Sequence, residues 1–353
     1  MMTELSQIIS QIEPLNPAWL EQARERLDSL TKPRGSLGRL EDLAALYVGI
    51  RGELLPTLDK KWVMVFAADH GVVAEGVSAY PQEVTHQMVL NFLRGGAGIN
   101  ALARHAGARV GVVDIGVNHD FGHIPELIDR KVAYGSRNMA QEPALTRDEA
   151  LQALLVGVEM AEQATATGVD ALAAGDMGIG NTTPAAALAS VFTGKPVAAV
   201  TGRGTGIEDP VWRHKIAVIN RALALHRPTA DDPVGALAAV GGLEIAGIAG
   251  FILGTAAARR PLVLDGFIAT AGALVAQALA PTVTDYLIAA HRSVEPGHQI
   301  MLDFLGLKPL LQFQMRLGEG TGAALGLSIL EASVRVYREM ATFGEAGVAD
   351  QDA

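Results

Sequence analysis

The stretch RLGEGTGAALGLSIL, Arg316 to Leu330, sets one carboxylate, Glu319, between two glycines at the start of an apolar helical pattern. Flanking glycines let the backbone take positive φ and leave room for a ligand, and the dipole of the following helix favours an anion at its start. Two chemistries fit: an ordinary end-capping acid, or a carboxylate held clear of its neighbours to accept a proton. A second run, GDMGIGNTTPAAALA, reads as strand, glycine loop, cap and helix, with Asn181 or Thr182 the expected N-cap and Pro184 in the first turn. Backbone amides around Gly178 and Gly180 suit a phosphate, although the same turn also serves as a plain strand-to-helix connection. It is neither a P-loop, since no Gly-Lys-Ser/Thr follows, nor a G-x-G-x-x-G fingerprint.

VTGRGTGIEDPVWRHK, Val200 to Lys215, offers another flexible glycine turn, with Arg203 and Gly204 in it and Lys215 one helical segment later. Phosphate contact and simple solvation of these charges both fit. KPRGSLGRLEDLA places Lys32, Arg34 and Gly35 before a helix that Ser36 is expected to cap, and reads as a basic interdomain loop. Asp69 and His70 sit side by side in ADHGVV, with His86 and His119 further on. Without H-E-x-x-H spacing they read as a hydrogen-bonded pair rather than a metal site, and the lack of a G-x-S-x-G elbow argues against a Ser hydrolase.

These groups need elements to position them. Short β-branched or apolar runs at Trp62–Asp69, Ala108–Gly116, Val169–Asp176, Pro261–Gly266 and Asp285–Ala290 alternate with segments of helical periodicity. Runs without polar alternation are strands buried on both faces, and helices between them imply right-handed crossovers. The expectation is a Rossmann-like α/β domain with a mostly parallel sheet over 60–297. Residues 1–59 and 298–353 read as mainly helical and are expected to pack together as a small domain built from both chain ends. Polar residues follow each strand: Asp69 and His70, Asp114, Asp176, Asp265, then His291 and Arg292. In an open parallel sheet this places a small-molecule pocket outside the carboxyl ends of the strands.

The composition narrows the class. A chain of 353 residues supports one large domain with a smaller appendage. With 28 basic against 38 acidic residues and no basic run, the net charge of −10 is the wrong footprint for a nucleic-acid binder. The absence of cysteine removes disulfides, thiolate metal sites and a Cys nucleophile together and points to the cytosol. The N-terminus reads as an acidic amphipathic helix rather than a signal peptide. The uncharged stretch Gly266 to Thr284 carries Thr, Gln and Pro between Asp265 and Asp285, and reads as a buried core helix rather than a membrane span. A hydrophobic fraction of 49% with only 5% aromatics favours small residues packed closely between helices and sheet.

KPRGSLGRLE, ADHGV with YPQEVT, RGGAGIN, GDMGIGNTTPAAA, VGGLEIAGIAG, LDGFIATAGAL and RLGEGTGAAL, in this order, resemble the nicotinate-nucleotide:dimethylbenzimidazole phosphoribosyltransferases of cobalamin biosynthesis. The likeness runs from about Leu30 to Val334. It implies transfer of phosphoribose from nicotinate mononucleotide to dimethylbenzimidazole with inversion at the anomeric carbon, giving α-ribazole 5′-phosphate and nicotinate. It also implies a homodimer, no cofactor and no metal. The family's catalytic base maps onto Glu319. Carried over the same way, substrate contacts are expected from Asp176, Gly178, Gly180, Asn181, Thr182, Arg203, Gly204, Lys215, His291, Tyr80, Met88 and Leu317. The chain departs from the family twice: Asp176 stands where Glu is common, and Tyr80 and Met88 stand where some members carry Ser and Gln in the base pocket.

Three other readings are weaker. A nucleotide-dependent dehydrogenase needs the G-x-G-x-x-G after the first strand that this chain lacks. A non-catalytic nucleotide-binding module would not need the Glu319 carboxylate. A PRPP-dependent transferase would show an apolar run leading into paired acids and a Thr-rich phosphate loop.

Overall fold

The computed structural model describes residues 1–204 and 206–349. Six strands, β1 (Lys61–Ala68), β2 (Ala108–Gly116), β3 (Leu127–Asp129), β4 (Ala171–Met177), β5 (Leu262–Leu264) and β6 (Leu287–Ala289), form one sheet in the order β3-β2-β1-β4-β5-β6. Every pairing is parallel. Every residue of β1 and β4 is buried, which is why those segments show no polar alternation.

The two faces of β1 belong to different cores. Trp62, Met64, Phe66 and Ala68 pack with the helices Arg147–Ala166, Leu243–Ala257 and Phe267–Leu279. Val63, Val65 and Ala67 pack with Val84–Leu93, Gly98–His105 and Thr321–Glu339. Successive strand residues point to opposite faces, so an unbroken apolar run feeds both layers. The Phe267–Leu279 helix is buried from Phe267 to Ala276, as expected of a core helix. Among the described residues no helix is long and apolar enough to cross a membrane.

Boundaries shift where side chains have other partners. β4 starts at Ala171 because Asp170 is spent outside the sheet, accepting from Arg51 Nη1 (2.9 Å) and from the amides of Asp59 (2.9 Å) and Lys60 (3.0 Å). The segment expected to open the last strand forms instead the 3₁₀ turn Pro281–Tyr286. The edge strand β3, of three residues, is too short to carry a periodic signal in the sequence. Ser36 does not cap the next helix. That helix begins at Arg39 after Gly38, and Glu41 reaches back to the Leu37 amide (3.0 Å) and to Lys32 (2.9 Å).

The chain ends meet. Ala23, Leu27, Leu30, Ala44, Ala45, Val48 and Tyr337 form a separate apolar cluster between Pro17–Ser29, Arg39–Arg51 and the last turns of Thr321–Glu339. Arg26 Nε donates to Tyr337 O (3.0 Å), and Thr31 N to Ala341 O (3.0 Å).

The helices Arg147–Ala166 and Leu243–Ala257 pack against each other, the second buried from Leu243 to Ala256. A Cβ at Gly250 would lie 1.8 Å from Leu154 O, and one at Gly157 would lie 1.9 Å from Gly247 O. The backbones are in contact, so a methyl group there must push two helices apart. We expect Gly250→Ala to lower the urea unfolding free energy by about 1–3 kcal/mol or more, with turnover per folded molecule little changed. Unfolding at the wild-type midpoint would show that the two helices have slack.

Candidate active site

The strand order reverses between β1 and β4, the position at which doubly wound sheets bind ligands. β1 runs into Asp69 and His70, β4 carries Asp176 near its end and leads into the Gly178–Asn181 turn, and β5 leads into Asp265. The Glu319 loop crosses this edge so closely that a Cβ on Gly175 would lie 2.3 Å from Glu319 O.

Glu319 is 5% exposed. Its loop has Gly318, Glu319 and Gly320 at φ 79°, 64° and 91°, so the acid itself takes the left-handed conformation that the sequence assigns to its neighbours. Its side chain does not serve the helix that follows. Oε2 accepts from the Ile99 amide (3.1 Å), at the N-terminus of the Gly98–His105 helix, a segment 220 residues away in sequence. Burial raises its pKa above the usual glutamate value, opposed by hydrogen bonds from the Ile99 and Gly98 amides.

Asp265 caps the Thr321–Glu339 helix instead. Its Oδ1 accepts from the amides of Gly322 (2.6 Å) and Ala323 (3.1 Å), and its Oδ2 from that of Gly320 (3.1 Å). Burial raises its pKa to about 7 against the pull of those three amides.

The other strand-end acids divide by job. Asp114 accepts from the Val117 amide (2.9 Å) and pairs with Lys131 (2.7 Å), while Asp69 accepts from the Asn118 amide (2.8 Å), so both hold the loop after β2. Asp176 faces the site. Burial, then the charge of Asp265, raises its pKa well above the usual aspartate value, and the hydrogen bond from Asn181 Nδ2 (2.9 Å) opposes them only in part. Asn181 thus spends its amide on Asp176 and makes no side-chain cap on the helix Thr182–Thr193.

Lys215 is 1% exposed and donates from Nζ to Thr182 Oγ1 (2.6 Å). Burial lowers its pKa to about 8, and the charge of Glu295 opposes the fall. A Cβ on Gly204 would lie 2.9 Å from Thr182 Oγ1 and 3.7 Å from Lys215 Nζ, so the two glycine turns and the lysine converge. The turn's Thr205 lies outside the described residues. Arg203 is not drawn in: its guanidinium pairs with Asp209 and donates to Ile207 O (2.9 Å).

Leu317 and Tyr80 are more than half exposed and Met88 is half-buried. Leu317 Cδ2 would lie 2.9 Å from a Cβ on Gly98, which sets it over the helix end that Glu319 contacts. His291 is 3% exposed and lies behind the cap, its Nε2 3.8 Å from Asp265 Oδ1, with its pKa lowered by burial. His86 stacks on His119 with centroids 4.4 Å apart.

A sequence profile of a phosphoribosyltransferase family, DBI_PRT, matches residues 12–348. A nicotinate-nucleotide:dimethylbenzimidazole phosphoribosyltransferase of Geobacter sulfurreducens is 59% identical over 351 residues, 99% of this chain and 100% of that protein. Its namesake from Chloroflexus aggregans is 58% identical over 350 residues, 99% of each. The crystal structure of CobT from Thermus thermophilus matches with a TM-score of 0.91 at 52% identity, covering 94% of this chain and 99% of that one. The chain belongs to this phosphoribosyltransferase family.

In this phosphoribosyltransferase two buried acids at the site had no individual signal in the sequence. Glu244 pairs with His70 (Oε1 to Nε2, 2.9 Å), both essentially unexposed. Burial of the ring lowers the His70 pKa, but the charge and hydrogen bond of Glu244 and the charge of Asp69 together more than offset it, so the net direction is upward. The second, Glu295, accepts from the Gly204 amide (2.8 Å). Each sits inside a family motif or beside a polar strand end, but only the fold brings it to its partner.

The Asp265 cap generates a test. Because folded Asp265 holds its proton more tightly than it does in the unfolded chain, the unfolded state releases protons that the native state keeps. Its contribution is therefore present below the usual aspartate range near pH ~4 and is lost as pH rises through about 7. Asp265→Asn should flatten that part of the stability-against-pH curve in urea melts. Since Asn cannot accept from all three amides, turnover should fall about tenfold or more as the Glu319 loop loosens. Turnover equal to wild type would mean that the loop is held without the cap.

Proposed function

We propose that this chain transfers the 5-phosphoribosyl group of nicotinate mononucleotide to a benzimidazole-type base, dimethylbenzimidazole, releasing nicotinate and forming α-ribazole 5′-phosphate. The observation that carries the reading is Glu319, a buried carboxylate held on the amides of one helix while a second acid caps its own. A benzimidazole nitrogen attacks the anomeric carbon as the bond from that carbon to the nicotinate nitrogen breaks, its electron pair returning to the pyridinium. The attacking ring's other nitrogen then sheds its proton to Glu319. The leaving ring is neutralised by bond cleavage and needs no acid. The rest of catalysis is orientation of two rings.

Asp176, whose burial favours its proton-bearing form, serves as a hydrogen-bond donor to the nicotinate or ribose. The loss of one methylene relative to Glu is offset by Asn181, which fixes the carboxyl. Lys215, Thr182, Gly204 and the Gly178 and Gly180 turn hold the 5′-phosphate, while the amides of Ile179 and Asn181 are engaged by Thr85 Oγ1 (3.1 Å) and Gly178 O (3.1 Å). Arg203 contributes through its backbone turn rather than its guanidinium. Met88, Leu317 and Tyr80 form an apolar edge for the base, and His291 acts on the site through the Asp265 cap. The family resemblance supports a homodimer and a cytoplasmic enzyme. The apolar cluster between the chain ends supports a small helical domain of 1–59 and 298–353 beside 60–297.

Nicotinate release from nicotinate mononucleotide, followed with and without dimethylbenzimidazole, tests the reaction; release that ignores the base would overturn it. Glu319→Gln should lower turnover about 10²- to 10⁴-fold while the dissociation constant of the base stays near wild type. The acid limb of wild-type turnover should lie above the ordinary glutamate range, because burial raises the Glu319 pKa and only the ionised form accepts the proton. Turnover of the variant within a few-fold of wild type would return Glu319 to a purely structural role. Lys215→Ala should raise KM for the nucleotide much more than KM for the base, and equal effects on both would remove the phosphate assignment.

A further inference from the structure

A buried carboxyl group sits in the proposed phosphate cradle. Glu295 is 6% exposed, its Oε1 accepts from the Gly204 amide at 2.8 Å, and its Oε2 is buried without a hydrogen-bond partner. The carboxylate lies flat on the turn, since a Cβ on Gly202 would meet Oε2 at 1.8 Å. Gly204 is also the residue whose Cβ would approach Lys215 Nζ and Thr182 Oγ1. The amide of that turn therefore donates to Glu295 at the place where the lysine and threonine converge.

We propose that Glu295 is a resident counter-anion of the phosphate site, holding the Gly204 amide and balancing buried Lys215 until a substrate phosphate displaces its carboxylate. This rests on the phosphate site proposed above. A buried ammonium without an anion costs several kcal/mol, so an empty site needs a stand-in charge. A dianionic phosphate supplies more charge and more acceptor oxygens than one carboxylate, and so can take over both donors. A substrate without the phosphate cannot, so the residue biases the enzyme toward phosphorylated nucleosides and helps expel the phosphorylated product.

The surroundings allow the exchange. The backbone on either side of Glu295 is fixed: Ser293 N donates to His298 Nδ1 (2.9 Å), and Pro296 opens the helix Pro296–Leu305. Movement is confined to the side chain. Beside it lies a groove of about 390 Å³ lined by Arg292, Ser293, Gln299, Gln312 and Gln314 among others, with room for the displaced carboxylate. Burial raises the Glu295 pKa above the usual glutamate value, and the charge of Lys215, the Gly204 amide and the charge of Arg316 oppose it.

The test is calorimetric titration of the full-length enzyme with inorganic phosphate, on wild type, Glu295→Gln and Lys215→Ala, each checked by thermal melting. Gln keeps the acceptor for Gly204 and removes the charge. We expect Glu295→Gln to bind phosphate about 3- to 30-fold more tightly, to lower KM for nicotinate mononucleotide similarly, and to turn over more slowly as product leaves late. Unchanged or weaker phosphate binding by the folded variant overturns the inference. Wild-type phosphate binding by Lys215→Ala instead overturns the phosphate site beneath it. Loss in Lys215→Ala with no gain in Glu295→Gln leaves the site standing and removes Glu295 from the exchange.

Discussion

Three consecutive residues in the left-handed region, Gly318, Glu319 and Gly320, set the constraint on which the site depends. Two are glycines and adopt it freely, but the middle one carries a side chain and costs about 1–2 kcal/mol there. Contacts at both ends hold it. Asp265 takes the amides of Gly320, Gly322 and Ala323, and the Glu319 carboxylate takes the amide of Ile99. The loop is thereby strung between β5 and the Gly98–His105 helix, directly over Gly175 of β4. The long helix that leaves it, Thr321–Glu339, lies on the sheet and places Tyr337 of its last turn in the cluster that joins the two chain ends.

The same edge of the sheet concentrates buried acids. Asp69, Asp176, Glu244, Asp265, Glu295 and Glu319 are each at most 7% exposed, and taking so many carboxylates out of water is costly unless each finds a donor, a cation or a proton. The structure uses all three remedies. Asp265 and Glu319 draw on backbone amides, Glu244 on His70, Glu295 on an amide and the charge of Lys215, and Asp176 on its own proton with help from Asn181. Burial raises the pKa of both Asp176 and Glu319, but the charge of Asp265 adds to the rise at Asp176 while two helix amides oppose it at Glu319.

Small residues make this concentration possible. Gly157 and Gly250 bring two helix backbones into contact on one face of the sheet, and Gly175 lets the Glu319 loop lie on β4 on the other. With few aromatic rings in the core, helices sit close to the strands and the loops at the sheet edge have little freedom. Precision at Glu319 comes from that close packing rather than from the intrinsic preference of its own segment.

The sequence by itself determined the class and the layout. Unbroken apolar strands, helical periodicity between them and polar residues after each strand specified a parallel α/β sheet with polar side chains gathered at its carboxyl edge, because these are local patterns read along one chain. It also singled out Glu319, Asp176, Asn181 and Lys215 through glycine turns and family motifs. Partnership was another matter. That Glu319 contacts a helix 220 residues distant, that Asp265 rather than Glu319 caps the helix after the loop, and that Glu244 and Glu295 are buried against His70 and Gly204 are long-range facts. A carboxylate reads the same in sequence whatever it faces. Only the tertiary structure decides which donor it meets and how much water it loses, and those two quantities set whether it holds a loop, keeps a proton or accepts one.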